Sequence, residues 1–527
     1  MQLELYDTTL RDGAQMEGIS LSVEDKLKIA RKIDELGVHY IEGGYPGSNP
    51  KDAEFFERAK TLGLKHAQLV AFGSTRRAGA SAQDDVALRA LVDAGTPAVC
   101  IVGKANDVHV REVLETTTEE NLAMIADSVR FLKSAGRTVF FDAEHFFDGY
   151  ASDPAYALQC LKAAASAGVD CVVLCDTNGG TVTSKLVEAV CAASEAVGVA
   201  IGIHTHNDAS LAVANTLAAI EAGATHVQGC VNGYGERCGN ADLLSIIANL
   251  KLKVGLDVVS DEQLAKLTEI SHYVSEVVNL VPTPNQPYVG ASAFAHKAGY
   301  HADGVVKLES SYQHVTPEAV GNQQRLLISE LGGSRGLLEQ IRELGIDVEL
   351  SREDARRLLE KVKEQESRGY QFEGAEASFE LLVRRSLPGY RAPFVLEDFW
   401  IVQRRATRPA DHGLEMQAEA MVKLRVGEEL VQTAAEGNGP VNALDGAVRK
   451  ALAGAYPDLM GVKLIDYKVR IIDSAAGTGA SVRVLIDSTD GDDVASTVGA
   501  STDIIEASWL ALNDALEYWL QRHGGGQ

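Results

Sequence analysis

Along the first 255 residues, short apolar runs alternate with stretches whose apolar positions recur at helical spacing, the pattern of repeated strand–helix units and a parallel sheet. The apolar runs cover 3–9, 38–44, 66–72, 98–103, 138–144, 171–177, 200–206 and 226–232, eight in all. Between the first two, SVEDKLKIARKIDELG (22–37) reads as an amphipathic helix. Ser22 is positioned to cap it, Asp25 stands three residues on as in a capping box, and Gly37 ends it. Eight such units in about 250 residues predict an α/β fold, a (β/α)8 TIM barrel, whose active site sits at the C-terminal ends of the strands.

The predicted strand ends carry polar chemistry that the opposite ends lack. Asp7, Arg11 and Asp12 follow the first strand, Glu42 the second, Glu144 and His145 the fifth, Asp176 and Thr177 the sixth. His204, His206, Asn207 and Asp208 follow the seventh, and Asn232, Glu236, Arg237 and Asn240 the eighth. Some of these polar groups are expected to cap helices, Asp208 among them. In HTH (204–206) the histidines are two residues apart, and a strand has period two, so both imidazoles face one way and suit one divalent cation. Alone the motif is weak, since surface or hydrogen-bonded histidines are common. Its place on a barrel rim beside carboxylates favours a mixed His/carboxylate metal site, with Mg²⁺, Mn²⁺, Zn²⁺ and Fe²⁺ all open.

Beyond the barrel the rhythm changes. Residues 276–370 read as helical connecting pieces, including 327–345 and the highly charged 352–369, with Pro282, Pro284 and Pro287 punctuating the joint. From 371 to 527 the pattern is β-rich, with predicted strands over 399–406, 419–426, 463–472 and 481–488. Helices are predicted over 436–454 and 498–521, giving a two-fold internal repeat with a period of 62 residues. The division is therefore a barrel (1–275), a connector (276–370) and an α+β C-terminal domain (371–527).

Composition narrows the function classes. With 49 Lys+Arg against 74 Asp+Glu the net charge is −25, and no basic patch stands out, so neither nucleic acid nor an anionic membrane surface is an expected partner. No run of about 18 uncharged apolar residues is present, and the first residues lack a signal-peptide pattern, so a cytoplasmic protein is expected. The seven cysteines fall mostly in apolar runs and read as reduced, buried thiols. Cys171 and Cys175, four apart in a predicted strand, are expected to be core residues rather than a metal pair.

LYDTTLRDGAQ (5–15), GIHTHND (202–208) and GERCGNADL (235–243) resemble the three motifs of the alpha-isopropylmalate, homocitrate and citramalate synthase family, which condenses acetyl-CoA with an α-keto acid. IEGGYPGSNPKDAEFF (41–56) and FFDAEHFFDGY (140–150) are similar to its citramalate synthase branch, although Tyr45 stands where that branch often has Trp. The resemblance runs the length of the chain. It implies that Asp12, His204 and His206 hold a divalent metal, with Asn240 as a further ligand or as a partner positioning them, that the metal is Mg²⁺ or Mn²⁺ with Zn²⁺ as an alternative, and that it binds and polarises the keto acid. Arg11 would stabilise the charge that develops on the keto oxygen, with a salt bridge to Glu42 or Glu144 as its structural alternative. Thr177 would bind the substrate carboxylate, Glu144 would orient substrate or handle protons, and Gln15, Glu42 and Tyr45 would line the pocket.

In HKAGYHADGVVKLESSYQHV (296–315) the resemblance implies a His and a Tyr that complete the site of a partner subunit in a homodimer. His301 and Tyr312 are the candidates, with His296 and His314 as competitors for the role of base. The branch motifs favour pyruvate over 2-oxoisovalerate or 2-oxoglutarate, a choice worth about 1–3 kcal/mol per methylene of pocket. The C-terminal domain, by the same resemblance, dimerises and binds an end-product amino acid, expected to be isoleucine. GNGP (437–440) and acids such as Asp473 are available for its carboxylate and ammonium. The alternatives are a 2-isopropylmalate synthase, a metal-dependent acyl-CoA lyase or aldolase on the same barrel, and a non-enzymatic metabolite sensor.

Overall fold

In a computed structural model of the chain, residues 3–296, 308–326, 351–407, 414–472 and 479–523 are described, with positions 304, 341 and 477 besides. They form two compact units, one of Met1–Phe294 with His314–Gln324, the other of Ala295–Gln313 with Arg325–Gln527.

The first unit is a closed barrel of eight parallel strands in sequence order: β1 (Glu4–Asp7), β2 (Tyr40–Gly44), β3 (Gln68–Ser74), β4 (Ala98–Lys104), β5 (Thr138–Glu144), β6 (Cys171–Asp176), β7 (Ala200–Thr205) and β8 (His226–Gly229). Closure is direct, Asp7 of β1 lying in register with Gly229 of β8. Every predicted strand is present. The helix after β1 spans Val23–Asp34 and carries the expected capping box, the Ser22 side chain accepting from Asp25 N–H while Asp25 caps Ser22 N–H.

Alternation along the strands fills the lumen from its N-terminal end. Tyr6, Tyr40, Phe140 and His226 meet ring to ring, with Phe140 and His226 centroids 4.7 Å apart. Cys100, Cys171, Val173 and Cys175 pack beside them, so the Cys171/Cys175 pair is core as expected. Each ring so buried contributes about 1.5–3 kcal/mol. Two residues further along the same strands the packing gives way to polar groups, and the site begins there. Five of the seven cysteines are buried, while Cys191 and Cys238 are exposed.

The second unit contains a two-stranded pair, β9 (Ala295–His296) with β10 (Arg325–Leu326), a helix over Arg352–Ser367 and another over Glu376–Arg385. Its remainder realises the internal repeat. β11 (Phe394–Thr407), β12 (Leu414–Val426) and β13 (Glu429–Gly437) form an antiparallel sheet followed by helix Pro440–Leu452. β14 (Lys463–Ile471), β15 (Val482–Thr489) and β16 (Val494–Ser501) repeat it, followed by helix Ile504–His523. Within the repeat, β13 and β16 were not predicted, nor was the short β9–β10 pair before it, and the last helix begins at Ile504 because 494–501 pairs with β15. The predicted helix 327–345 lies outside the described residues apart from Ile341.

Candidate active site at the C-terminal rim of the barrel

His204 and His206 leave the end of β7 on one side, as the period of two requires, and their Nε2 atoms lie 3.3 Å apart. Asp12, from the loop after β1, brings Oδ2 to 3.8 Å from His204 Nε2. Among the described residues these three are the one group of His, Cys, Asp or Glu ligand atoms that all lie within 4.8 Å of one another, and all three are buried. Burial opposes charge on Asp12, yet the Arg11 guanidinium, with His204 and His206, holds its carboxyl well below the usual carboxylate range. Burial, with His204 beside it, lowers His206 to about 4. Near neutral pH the pair therefore offers a carboxylate and a neutral imidazole.

Asn240 joins this cluster through the backbone. It bridges to His206 as an isolated β-pair, and Ala241 N–H donates to Thr205 carbonyl at 2.9 Å, so the loop after β8 is laid along the end of β7. The turn that permits this needs glycine at 239. Its φ is +86°, and a Cβ there would lie 2.0 Å from the Gly233 carbonyl oxygen. Asn240 Nδ2 donates to Asp12 Oδ1 at 2.9 Å and to Tyr234 carbonyl at 3.0 Å. Its Oδ1 and His206 Nδ1 are buried without a hydrogen-bond partner among the described residues. Polar atoms orphaned inside a protein are costly, and here they adjoin two imidazoles facing each other and a carboxylate held ionised. That donor set fits a divalent cation.

Arg11 binds two acids at once: Nε to Glu42 Oε2 and Nη1 to Asp12 Oδ2, each at 2.6 Å, with the guanidinium 3.8 Å above the Phe72 ring. Glu42, expected to line the pocket, is fully buried, and its oxygens are taken by Tyr6 Oη, Thr8 Oγ1 and Arg11. It therefore aims Arg11 rather than touching a ligand itself. Of the two salt-bridge partners considered for Arg11, Glu144 pairs instead with Lys104, which ends β4 on the neighbouring strand. Lys104 was not singled out from the sequence, although the strand-end rule that found Glu144 reaches it equally.

Thr177 Oγ1 accepts the His145 backbone N–H at 2.8 Å, which leaves its hydroxyl hydrogen to donate elsewhere. Gln15 ends a short 3₁₀ turn (Gly13–Gln15) and, with Arg11, Tyr45 and Phe72, lines a cavity of about 350 Å³. Tyr45 holds its hydroxyl 3.2 Å from Ser74 Oγ and its ring edge-on to Phe72. Asp208, expected to cap the next helix, pairs with Arg237 at 2.8 Å. That helix starts at Ala212, whose N–H is taken by Asn207 Oδ1. His301 lies outside the described residues, as does Asp473. Tyr312 belongs to the second unit and is 40% exposed, and His296 lies in β9 of that unit. His314 belongs to the first unit, stacked on Phe294 with 6.2 Å between centroids.

Residues 2–274 match the HMGL-like family, 288–369 the homocitrate synthase post-HMGL domain-like family, and 373–520 the LeuA allosteric (dimerisation) domain. The chain belongs to the HMGL-like family. Within it the chain groups with (R)-citramalate synthases. It is 50% identical over 519 residues to that of Aquifex aeolicus, covering 98% of each chain. It is 50% identical to that of Streptomyces coelicolor, covering 99% of this chain and 97% of the relative, and 49% identical to that of Geobacter sulfurreducens, covering 99% and 98%. No described helix is long and apolar enough to cross a membrane.

Proposed function

We propose that the chain is an acyltransferase that condenses acetyl-CoA with pyruvate and hydrolyses the thioester, releasing (R)-citramalate and CoA. The observation that carries this reading is near-full-length identity of about 50% to several (R)-citramalate synthases, joined to an Asp12/His204/His206 cluster on the catalytic rim of the barrel. The product stands at the opening of a pyruvate route to isoleucine, in the cytoplasm.

Asp12, His204, His206 and Asn240 would hold Mg²⁺ or Mn²⁺, with Zn²⁺ as the alternative, and such a cation binds the keto acid and polarises its carbonyl. Arg11, fixed by Glu42, presents a charge that is already oriented when negative charge grows on the keto oxygen, so little reorganisation is needed at that moment. Thr177 has a hydroxyl hydrogen available for the substrate carboxylate, and Gln15 and Tyr45 wall the cavity beside Arg11. Glu144, paired with Lys104, is assigned to orienting the substrate and handling protons. A base must take a proton from the acetyl methyl. The new carbon–carbon bond then turns the keto oxygen into a hydroxyl, and water cleaves the thioester. His301 and Tyr312 are assigned to the proton transfer, supplied by the partner subunit of a homodimer. Residues 1–275 then carry the chemistry, 276–370 connect and complete the partner's site, and 371–527 dimerise and bind isoleucine as feedback inhibitor.

The test is release of free CoA, followed with a thiol reagent, in separate reactions with pyruvate, 2-oxoisovalerate and 2-oxoglutarate. Turnover with pyruvate is expected to dominate. Strong turnover with 2-oxoisovalerate and little with pyruvate would instead indicate 2-isopropylmalate synthesis, and no CoA release with any of them would overturn the reading.

A further inference from the structure

Behind the histidine pair, a line of polar groups crosses the lumen of the barrel. His204 Nδ1 lies 2.8 Å from Gln228 Oε1, and Gln228 Nε2 donates to Asp142 Oδ1 at 3.0 Å. The three residues come from β7, β8 and β5, and none is more than 4% exposed. Cys100 of β4 is buried in the same part of the lumen, in one cluster with Phe140. All lie directly above the aromatic plug: Asp142 and Gln228 are each two residues on from Phe140 and His226. Both stop short of the strand ends, Asp142 two residues before the end of β5 and Gln228 one before the end of β8.

We infer that Gln228 and Asp142 form a positioning relay that fixes His204 in one tautomer, protonated at Nδ1, so that Nε2 faces Asp12 and His206 with its lone pair available to a cation. The orientation of the Gln228 amide gives the relay its direction. Its NH₂ faces Asp142, whose oxygen accepts from it at 3.0 Å. The amide oxygen then faces His204 and can only accept, which puts the imidazole hydrogen on Nδ1. An amide also cannot take up a proton. It therefore orients the ring without adding a charge beside it. The relay is buried and hydrogen-bonded along its length.

This inference rests on His204 being a metal ligand, so the experiment separates the two. In metal-free wild-type protein carrying ¹⁵N-labelled histidine, at about pH 8, nuclear magnetic resonance is expected to show His204 with a pyrrole-type Nδ1 and a pyridine-type Nε2. The opposite tautomer overturns the relay. Calorimetry with Mn²⁺ then reads the ligand set: if wild type and His204→Ala bind Mn²⁺ equally, the metal reading fails while the tautomer result stands. Gln228→Met, which keeps the volume and removes both bonds, is expected to lower Mn²⁺ affinity about 10–100-fold. Asp142→Asn retains an oxygen that can accept from Gln228 and is expected to stay within about threefold of wild type. Equal losses in both variants, or none in Gln228→Met, would reduce the relay to structural packing. Cobalt absorption spectra of the two variants, compared with wild type, add a readout of ligand geometry independent of turnover.

Discussion

Asn240 Nδ2 donates to Asp12 Oδ1 at 2.9 Å, tying the loop after the last barrel strand to the loop after the first, 228 residues away in sequence. Barrel closure makes this possible, because β8 and β1 are neighbours. The contact leaves Asp12 Oδ2 for Arg11 and the histidines. Asp12→Ala, His204→Ala and His206→Ala are each expected to abolish measurable Mn²⁺ binding in calorimetry. Asn240→Ala, which removes a positioning bond and an orphaned oxygen, is expected to weaken it about 10–100-fold. Retention of wild-type affinity in His206→Ala would exclude the histidine pair as the metal centre.

Arg11 reaches Glu42 through Nε and Asp12 through Nη1, a fork that a lysine ammonium cannot reproduce. Arg11→Lys is therefore expected to lower kcat about 10²–10³-fold, the usual effect of losing one preorganised donor at a developing oxyanion. KM for pyruvate should move much less, because the loss falls on the transition state. Steady-state CoA release checks this, and a change confined to KM would assign Arg11 to ground-state binding.

The rim was legible in the sequence because two simple periodicities act together. Period two put His204 and His206 on one side, and repeated strand–helix units put every strand end on one rim, so Arg11, Asp12 and Asn240 converge with them. Residues deeper in the lumen were not legible. Asp142 and Gln228 read as ordinary strand positions, and only the closed barrel brings β5 and β8 side chains together across it. The same limit applies to Glu42, whose role as an anchor depends on Tyr6 and Thr8 filling its remaining valences. In the second unit β13 and β16 were missed because VASTVGAS and ELVQTAAEG carry few large apolar residues. Their strand state comes from pairing with β15 and β12.

Asp7, fully buried at the end of β1, is pushed up to about 7 by burial, although Thr9 donates to it from both N–H and Oγ. Its unfolded value is about 3.9. Between those values the folded chain holds a proton that the unfolded chain gives up, so this group's contribution to stability falls as pH rises from about 4 through about 7 and levels off above. Asp7→Asn removes the titration. In thermal melts of metal-free protein, the variant should gain on wild type as pH increases, with the difference flat above about pH 7.5. A difference independent of pH would mean that Asp7 titrates normally.

Trp519 joins the two halves of the C-terminal repeat to its core. It is fully buried in helix Ile504–His523, and its Nε1 donates to Ser488 Oγ of β15 at 2.8 Å. The cluster around it draws on both sheets, with Ala418, Val422 and Leu424 from one and Val484 and Ile486 from the other. Trp519→Ala opens a cavity and removes the indole donor from the Ser488 hydroxyl, and a cost of about 3–5 kcal/mol to this unit is expected in denaturant melts. The barrel has its own separate core, so its metal site is expected to survive. If isoleucine acts through residues 371–527, this variant should lose inhibition by isoleucine at temperatures where Mn²⁺ binding is still intact, as should a chain ending at 370. Full isoleucine sensitivity in the truncated chain would move the effector site out of the repeat domain altogether.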